Sequence, residues 1–263
     1  MMEETKGERG RSVSVGGGER PRLTFFVVHH AGGSAPIYLP LARALPSDWE
    51  VILLELPGRG RTAGARNCAN MAEVLETLLP LMARRSHGPF ALWGHSMGGV
   101  IAYELAHALA GAGRPPLWLG VSASLPPQLH AVEIPRARGH DELLSFVREL
   151  GGTPEEVLAI PDIAEYLLGV LREDLLVLDG YRLRDRPPLD IPVSLFGAES
   201  DPMASLSRME PWVELLASNC IKHSFEGGHF YWLDAVDDLA VAIEKDVLAV
   251  APVVSRDIER KFS

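Results

Sequence analysis

From Leu23 onward the chain alternates short, continuous apolar runs with longer stretches in which apolar residues recur every three or four positions. The first kind of segment reads as a buried strand and the second as an amphipathic helix. Strands are predicted at 23–29, 49–55, 89–93, 117–123, 192–197 and 220–225. A helix is predicted over 71–85, where Val74, Leu75, Leu78 and Leu81 share a face. Pro80 lies inside it and predicts a kink or an early end. Alternation of this kind implies an α/β fold, a mostly parallel twisted sheet with helices on both faces.

The alternation stops between about Leu125 and Pro188, where helical patterns follow one another without a strand. One covers 141–150 and ends at Gly151-Gly152. Thr153-Pro154-Glu155-Glu156 then predicts a Thr153 cap with Pro154 at the first helical position. The third, 162–178, carries a stripe of Ile163, Leu167, Val170, Leu171 and Leu175. A helical block inserted between two strands reads as a lid over the strand ends. The chain thus divides into a leader without structure at 1–22, a core at 23–124 and 189–251, a lid insertion at 125–188, and a tail at 252–263.

Gly94-His95-Ser96-Met97-Gly98-Gly99 falls between the third strand and a helical pattern carrying Ile101, Leu105 and Leu109. It matches the G-x-S-x-G elbow, which holds a serine on a sharp strand-to-helix turn with its hydroxyl exposed. A Gly/Ser-rich turn without chemistry is the plainer reading of these six residues alone. A serine hydroxyl needs a base within hydrogen-bond reach, and the base needs an orienting acid. The expected chain order is Ser, acid, His. His229, after Gly227-Gly228 at the end of the last predicted strand, is the base. Asp201 is the acid, with Glu199 its rival in the same loop and Asp234 in the wrong order. Backbone N–H groups of Met97 and of Ala31, in the glycine-rich loop 29–34, are the candidate oxyanion donors.

Composition narrows the partners. With 263 residues and a formal net charge of −10, the chain lacks the basic footprint of a nucleic-acid binder. No apolar run is long enough to cross a bilayer, and the N-terminus lacks the apolar core of a secretory signal. The two cysteines, Cys68 and Cys220, suggest neither a disulfide framework nor a metal site, so a reduced cytoplasmic setting is expected. Arg59, Arg61 and Arg66 cluster near one loop, and Arg84 and Arg85 close a helix. They read first as solvated or helix-terminal charges.

Taken together, the chain resembles the type II thioesterases, free-standing editing hydrolases of polyketide and nonribosomal peptide assembly lines, within the α/β-hydrolase superfamily. The resemblance covers roughly 23–250. It rests on His30-Ala31-Gly32-Gly33-Ser34-Ala35, Glu55-Leu56-Pro57-Gly58-Arg59-Gly60-Arg61, Leu92-Trp93-Gly94-His95-Ser96-Met97-Gly98-Gly99, Leu171-Arg172-Glu173-Asp174 and Gly228-His229-Phe230. It implies a triad of Ser96, Asp201 and His229, with Ala31 and Met97 as oxyanion donors. It also implies an acyl thioester substrate on the phosphopantetheine arm of acyl or peptidyl carrier proteins, no cofactor or metal of the protein's own, and a monomer. Arg59 and Arg61 become candidates for docking an acidic carrier. The chain departs from the family at His29, where an aromatic or small residue is expected and where the entrance to the acyl chamber would be affected. It departs again at Glu199, an extra carboxylate in the acid loop. A small-molecule carboxylesterase or lipase with the same triad, and a carrier-binding module without activity, are the competing readings.

Overall fold

The computed structural model describes residues 11–129 and 139–251. Expectations for residues 1–10, His130 and the tail at 252–263 lie outside the described residues. Seven strands form one sheet: β1 (Arg11–Gly16), β2 (Leu23–Val28), β3 (Trp49–Glu55), β4 (Phe90–His95), β5 (Leu119–Ser122), β6 (Val193–Ala198) and β7 (Ile221–Phe225). Their spatial order is β1-β3-β2-β4-β5-β6-β7. All neighbours run parallel except β1, which pairs antiparallel with β3 from Arg11↔Glu55 to Gly16↔Glu50. The leader expectation is therefore corrected: residues 11–16 are an edge strand. Ser12, Val13, Ser14 and Val15 alternate polar and apolar, which suits an edge strand, although the flanking glycines mask the pattern.

Strand β2 explains why continuous apolar runs mark this sheet. All six of its residues are buried. Phe26 and Val28 pack on one face with α2 (Met71–Arg85) and α3 (Met97–Gly111), while Phe25 and Val27 pack on the other with α1 (Leu39–Ala44) and α7 (Val236–Val250). Both faces are covered, so period-2 alternation is erased.

Helix α2 runs unbroken from Met71 to Arg85, with Asn70 accepting the Glu73 N–H as its cap. Of the kink or early end expected at Pro80, the early end does not occur. Pro80 and Glu76 are exposed, so the Glu76 carbonyl that loses its donor can turn to water. Val74, Leu78, Leu81 and Met82 pin both halves to the sheet.

Between β5 and β6 lie α4 (His140–Leu150), α5 (Glu155–Leu158) and α6 (Pro161–Asp179). The start of α5 is corrected by one residue. Pro154, not Thr153, is the N-cap, and no side chain caps the helix; the Pro154 carbonyl instead accepts from Val157 and Leu158. Where this segment returns to the sheet, Arg186 pairs with buried Glu104 of α3 at 2.5 Å, and Tyr181 donates to the same carboxylate. Among the described residues no helix is long and apolar enough to cross a membrane.

Candidate active site

In an open α/β sheet, ligands bind where the strand order reverses, outside the carboxyl ends of the strands. Here that place lies between β2 and β4, which pair up to Val28↔Gly94. The chain leaving β2 is the Ala31–Gly33 loop, and the chain leaving β4 is Ser96. Topology alone therefore sets the two loops side by side.

Ser96 sits at φ 56°, ψ −120°, a conformation an L-residue adopts only under strain. The strain is held by close backbone contacts. A Cβ on Gly94 would lie 2.0 Å from the Gly98 carbonyl oxygen, and one on Gly98 would lie 2.2 Å from the Val28 oxygen. Only glycine fits either position. The Ser96 N–H donates to the Ser122 carbonyl at 2.8 Å. Below the turn, His95 Nδ1 meets Ser122 Oγ at 2.9 Å, and Ser122 Oγ meets the Tyr231 hydroxyl at 2.7 Å.

His229 and Asp201 come together as the chain order predicts. His229 Nδ1 lies 2.8 Å from Asp201 Oδ2, and both side chains are buried. Asp201 Oδ1 accepts the Met203 and Ala204 N–H groups at 2.8 and 3.0 Å. Burial by itself would raise the Asp201 carboxyl. The hydrogen bond from His229 and the two backbone donors outweigh it and hold the pKa below the usual carboxylate range. Asp201 is therefore ionised at neutral pH, with His229 Nδ1–H as donor and Nε2 left to face the cavity. Glu199 and Asp234 are exposed and take no part in this pair.

Ser96, His229, Met97 and Ala31 line one cavity, walled on the side of α4 and α6 by Phe146, Leu150, Leu171 and Leu175. Among the described hydrogen bonds none joins Ser96 to His229; in unliganded sites this contact commonly tightens only with substrate. The Met97 N–H is the first of α3 and has no acceptor within the helix. The Ala31 N–H likewise has no partner among the described bonds.

The loop after β2 is held by residues the sequence did not single out for that task. Gly32, at φ 75°, donates its N–H to Asp174 Oδ2 of α6 at 2.8 Å. Asp174 is also clamped by Arg59, Nη1 to Oδ2 at 2.6 Å and Nη2 to Oδ1 at 2.7 Å, and Arg59 Nη1 reaches the Gly33 carbonyl at 3.1 Å. Each side chain of the pair is 3% exposed. This corrects two expectations. Arg59 is not a solvated or docking charge but half of a buried ion pair. Arg66, the exposed member of the cluster, pairs with Glu73, and the Arg61 side chain lies outside the described residues. His29 is likewise not at the cavity entrance: it is 1% exposed, underneath the loop.

His30 does line the cavity. Its backbone N–H donates to the Tyr38 hydroxyl at 3.2 Å, and that hydroxyl lies 2.6 Å from His30 Nδ1. With its oxygen accepting the His30 N–H, the phenol O–H donates to Nδ1, and the imidazole proton sits on Nε2. Burial, reinforced by His29 and His229, pushes the His30 pKa down to about 3. Burial and Arg59 push His29 to about 3, and burial with His229 and His30 lowers His95.

These shifts have a sign. Between the ordinary value of 6.5 and about 3 the unfolded chain binds protons at these positions that the folded chain refuses. Stability is therefore complete above about pH 6.5 and falls on acidification. Each buried histidine is expected to remove up to about 1.4 kcal/mol per pH unit. Urea denaturation at pH 7 and pH 5 should show a midpoint well below the neutral one at the lower pH, and an unchanged midpoint would contradict the neutral buried cluster.

Both cysteines are free, and among the described residues no three His, Cys, Asp or Glu side chains are grouped as metal ligands. The family model described as a thioesterase domain matches residues 24–247. The AMB antimetabolite synthetase AmbE of Pseudomonas aeruginosa is 32% identical over 93% of the chain, which spans only 12% of that relative's length. The gramicidin S biosynthesis protein GrsT of Aneurinibacillus migulanus is 29% identical over 88% of the chain and 91% of its own length. Among solved structures, the type II thioesterase BorB from the borrelidin biosynthetic cluster superposes with a TM-score of 0.76. It is 30% identical and covers 87% of this chain and 95% of its own.

Proposed function

The chain belongs to the thioesterase family, hydrolases acting on thioesters, and from that premise we propose that it releases acyl groups from the phosphopantetheine arm of carrier proteins in polyketide or nonribosomal peptide biosynthesis. The observation that carries this reading is the strained Ser96 turn opening into the same apolar cavity as His229, with two free backbone N–H groups beside it. Ser96 Oγ attacks the thioester carbonyl while His229 Nε2 takes its proton, and Asp201 stabilises the imidazolium that forms. The Ala31 and Met97 N–H groups receive the developing oxyanion, each such donor being worth roughly 2.7–4 kcal/mol in the transition state. The carrier thiol leaves with the proton from His229. Water then attacks the acyl-enzyme by the same route in reverse, returning Ser96.

The cycle asks for no resident cofactor or metal, because phosphopantetheine arrives with the substrate. All five groups come from one chain, so a monomer suffices. Free thiols at Cys68 and Cys220 suit a reducing cytoplasm. Acyl-loaded carrier proteins should be hydrolysed in preference to p-nitrophenyl esters of the same acyl group, and a fluorophosphonate should label Ser96. Strong preference for free esters would assign the site to a small-molecule esterase. An unlabelled Ser96 in folded protein would remove the catalytic reading altogether.

A further inference from the structure

We propose that His29 is a positioning residue for the oxyanion site, locking the His30–Ala31 peptide so that the Ala31 N–H points into the cavity. The proposal rests on the reading of Ala31 as an oxyanion donor. A peptide unit is planar, and in a trans unit the C=O and N–H point in opposite directions; none of the described peptide bonds is cis. Whatever fixes the His30 carbonyl therefore aims the Ala31 N–H.

Two donors hold that carbonyl. One is the Gly33 N–H at 3.0 Å, which closes the turn from within. The other is His29 Nδ1 at 2.8 Å. The ring must carry its proton on Nδ1, because its other nitrogen, Nε2, accepts the Leu56 N–H at 3.3 Å. Leu56 directly follows β3, so the imidazole ties the exit of that strand to the exit of β2. A second proton on Nε2 would face the Leu56 donor, and burial beside Arg59 opposes the charge as well. The ring is thus a fixed, neutral donor, with 1% exposure and no wall of the cavity to form. The next peptide is held independently by Asp174 through the Gly32 N–H. Without His29 the His30–Ala31 plane keeps one anchor of its two, the Gly33 N–H. Rotation of that plane would swing the N–H away and bring a carbonyl toward the oxyanion.

His29→Leu fills the space without a donor, and His29→Asn returns an N–H near the Nδ1 position. On an acyl-loaded carrier protein, His29→Leu should lower kcat about ten- to a hundredfold, less than outright loss of an oxyanion donor, with KM within twofold. A boronic acid that forms a tetrahedral adduct on Ser96 should weaken by the same factor, while the carboxylic acid product binds as before. His29→Asn should return kcat to within about threefold of the original. In the 15N-labelled parent protein, His29 should report the neutral Nδ1–H tautomer, a measurement that does not depend on any variant folding. Unchanged kcat in folded His29→Leu, an asparagine variant as slow as the leucine one, or an Nε2–H tautomer would each overturn the proposal alone. If the parent protein leaves loaded carriers intact, the carrier reading fails; if Ser96 of the folded protein also takes no fluorophosphonate, the catalytic reading fails, and this proposal with it.

Discussion

Replacing Ser96 by glycine should abolish thioester hydrolysis, lowering kcat about 10⁶-fold, and should at the same time make the protein more stable. The two effects have one cause. Ser96 sits at φ 56°, ψ −120°, where a side chain costs of order 1–3 kcal/mol. Glycine reaches that conformation freely. Its greater freedom in the unfolded chain offsets roughly 0.5–1 kcal/mol of the gain, so a net increase of about 1 kcal/mol is expected. Ser96→Ala separates the two effects, because it removes the nucleophile and keeps the strain. Its activity should fall equally, with stability close to that of the parent. Urea denaturation of the three proteins tests this, with the loaded-carrier assay run beside it. A glycine variant no more stable than the alanine variant would mean that the turn is not strained.

The sheet was legible because burial on both faces turns β2 to β6 into largely apolar runs; these five strands, and the more exposed edge strand β7, lie within two residues of where the sequence places them. The seventh, Arg11–Gly16, is edge-placed, half polar and flanked by glycines, so its pairing depends on β3 rather than on its own pattern. Ser96, Asp201 and His229 were legible because each follows a strand end in an order that topology imposes. The supports of the oxyanion loop were not. Arg59 and Asp174 lie 115 residues apart, and nothing local in either segment announces the other. One signal was present in hindsight: Asp174 falls on the buried stripe of α6 between Val170, Leu171 and Leu175. A carboxylate at such a position needs a partner. Glu104, buried on α3 among Ile101 and Leu105, obeys the same rule with Arg186. The early end read at Pro80 fails because Leu78, Leu81 and Met82 hold the helix to the sheet on either side of it, while Pro80 itself lies on the exposed face.

The Arg59–Asp174 pair should give the largest stability effect in the chain. Arg59→Met leaves the Asp174 carboxylate buried with only the Gly32 N–H, and Asp174→Leu leaves a buried guanidinium with only the Gly33 carbonyl. Removing one partner of a buried pair costs roughly 3–5 kcal/mol, a large share of the 5–15 kcal/mol that holds a typical domain together. A melting temperature lower by about 10 °C is expected for either single variant. The double variant removes both charges at once and should recover much of this loss, because apolar residues of similar volume replace a buried pair at little net cost. Activity should not recover with it. The double variant still lacks the acceptor that holds Gly32, the residue after Ala31, so kcat should remain at least about tenfold low while the protein is folded. A double-mutant cycle on stability, set beside kcat for the same four proteins, separates the two roles. If kcat returns with stability, Asp174 serves the fold alone. If it stays low, helix α6 holds the loop after β2 in place through the one carboxylate that accepts the Gly32 N–H.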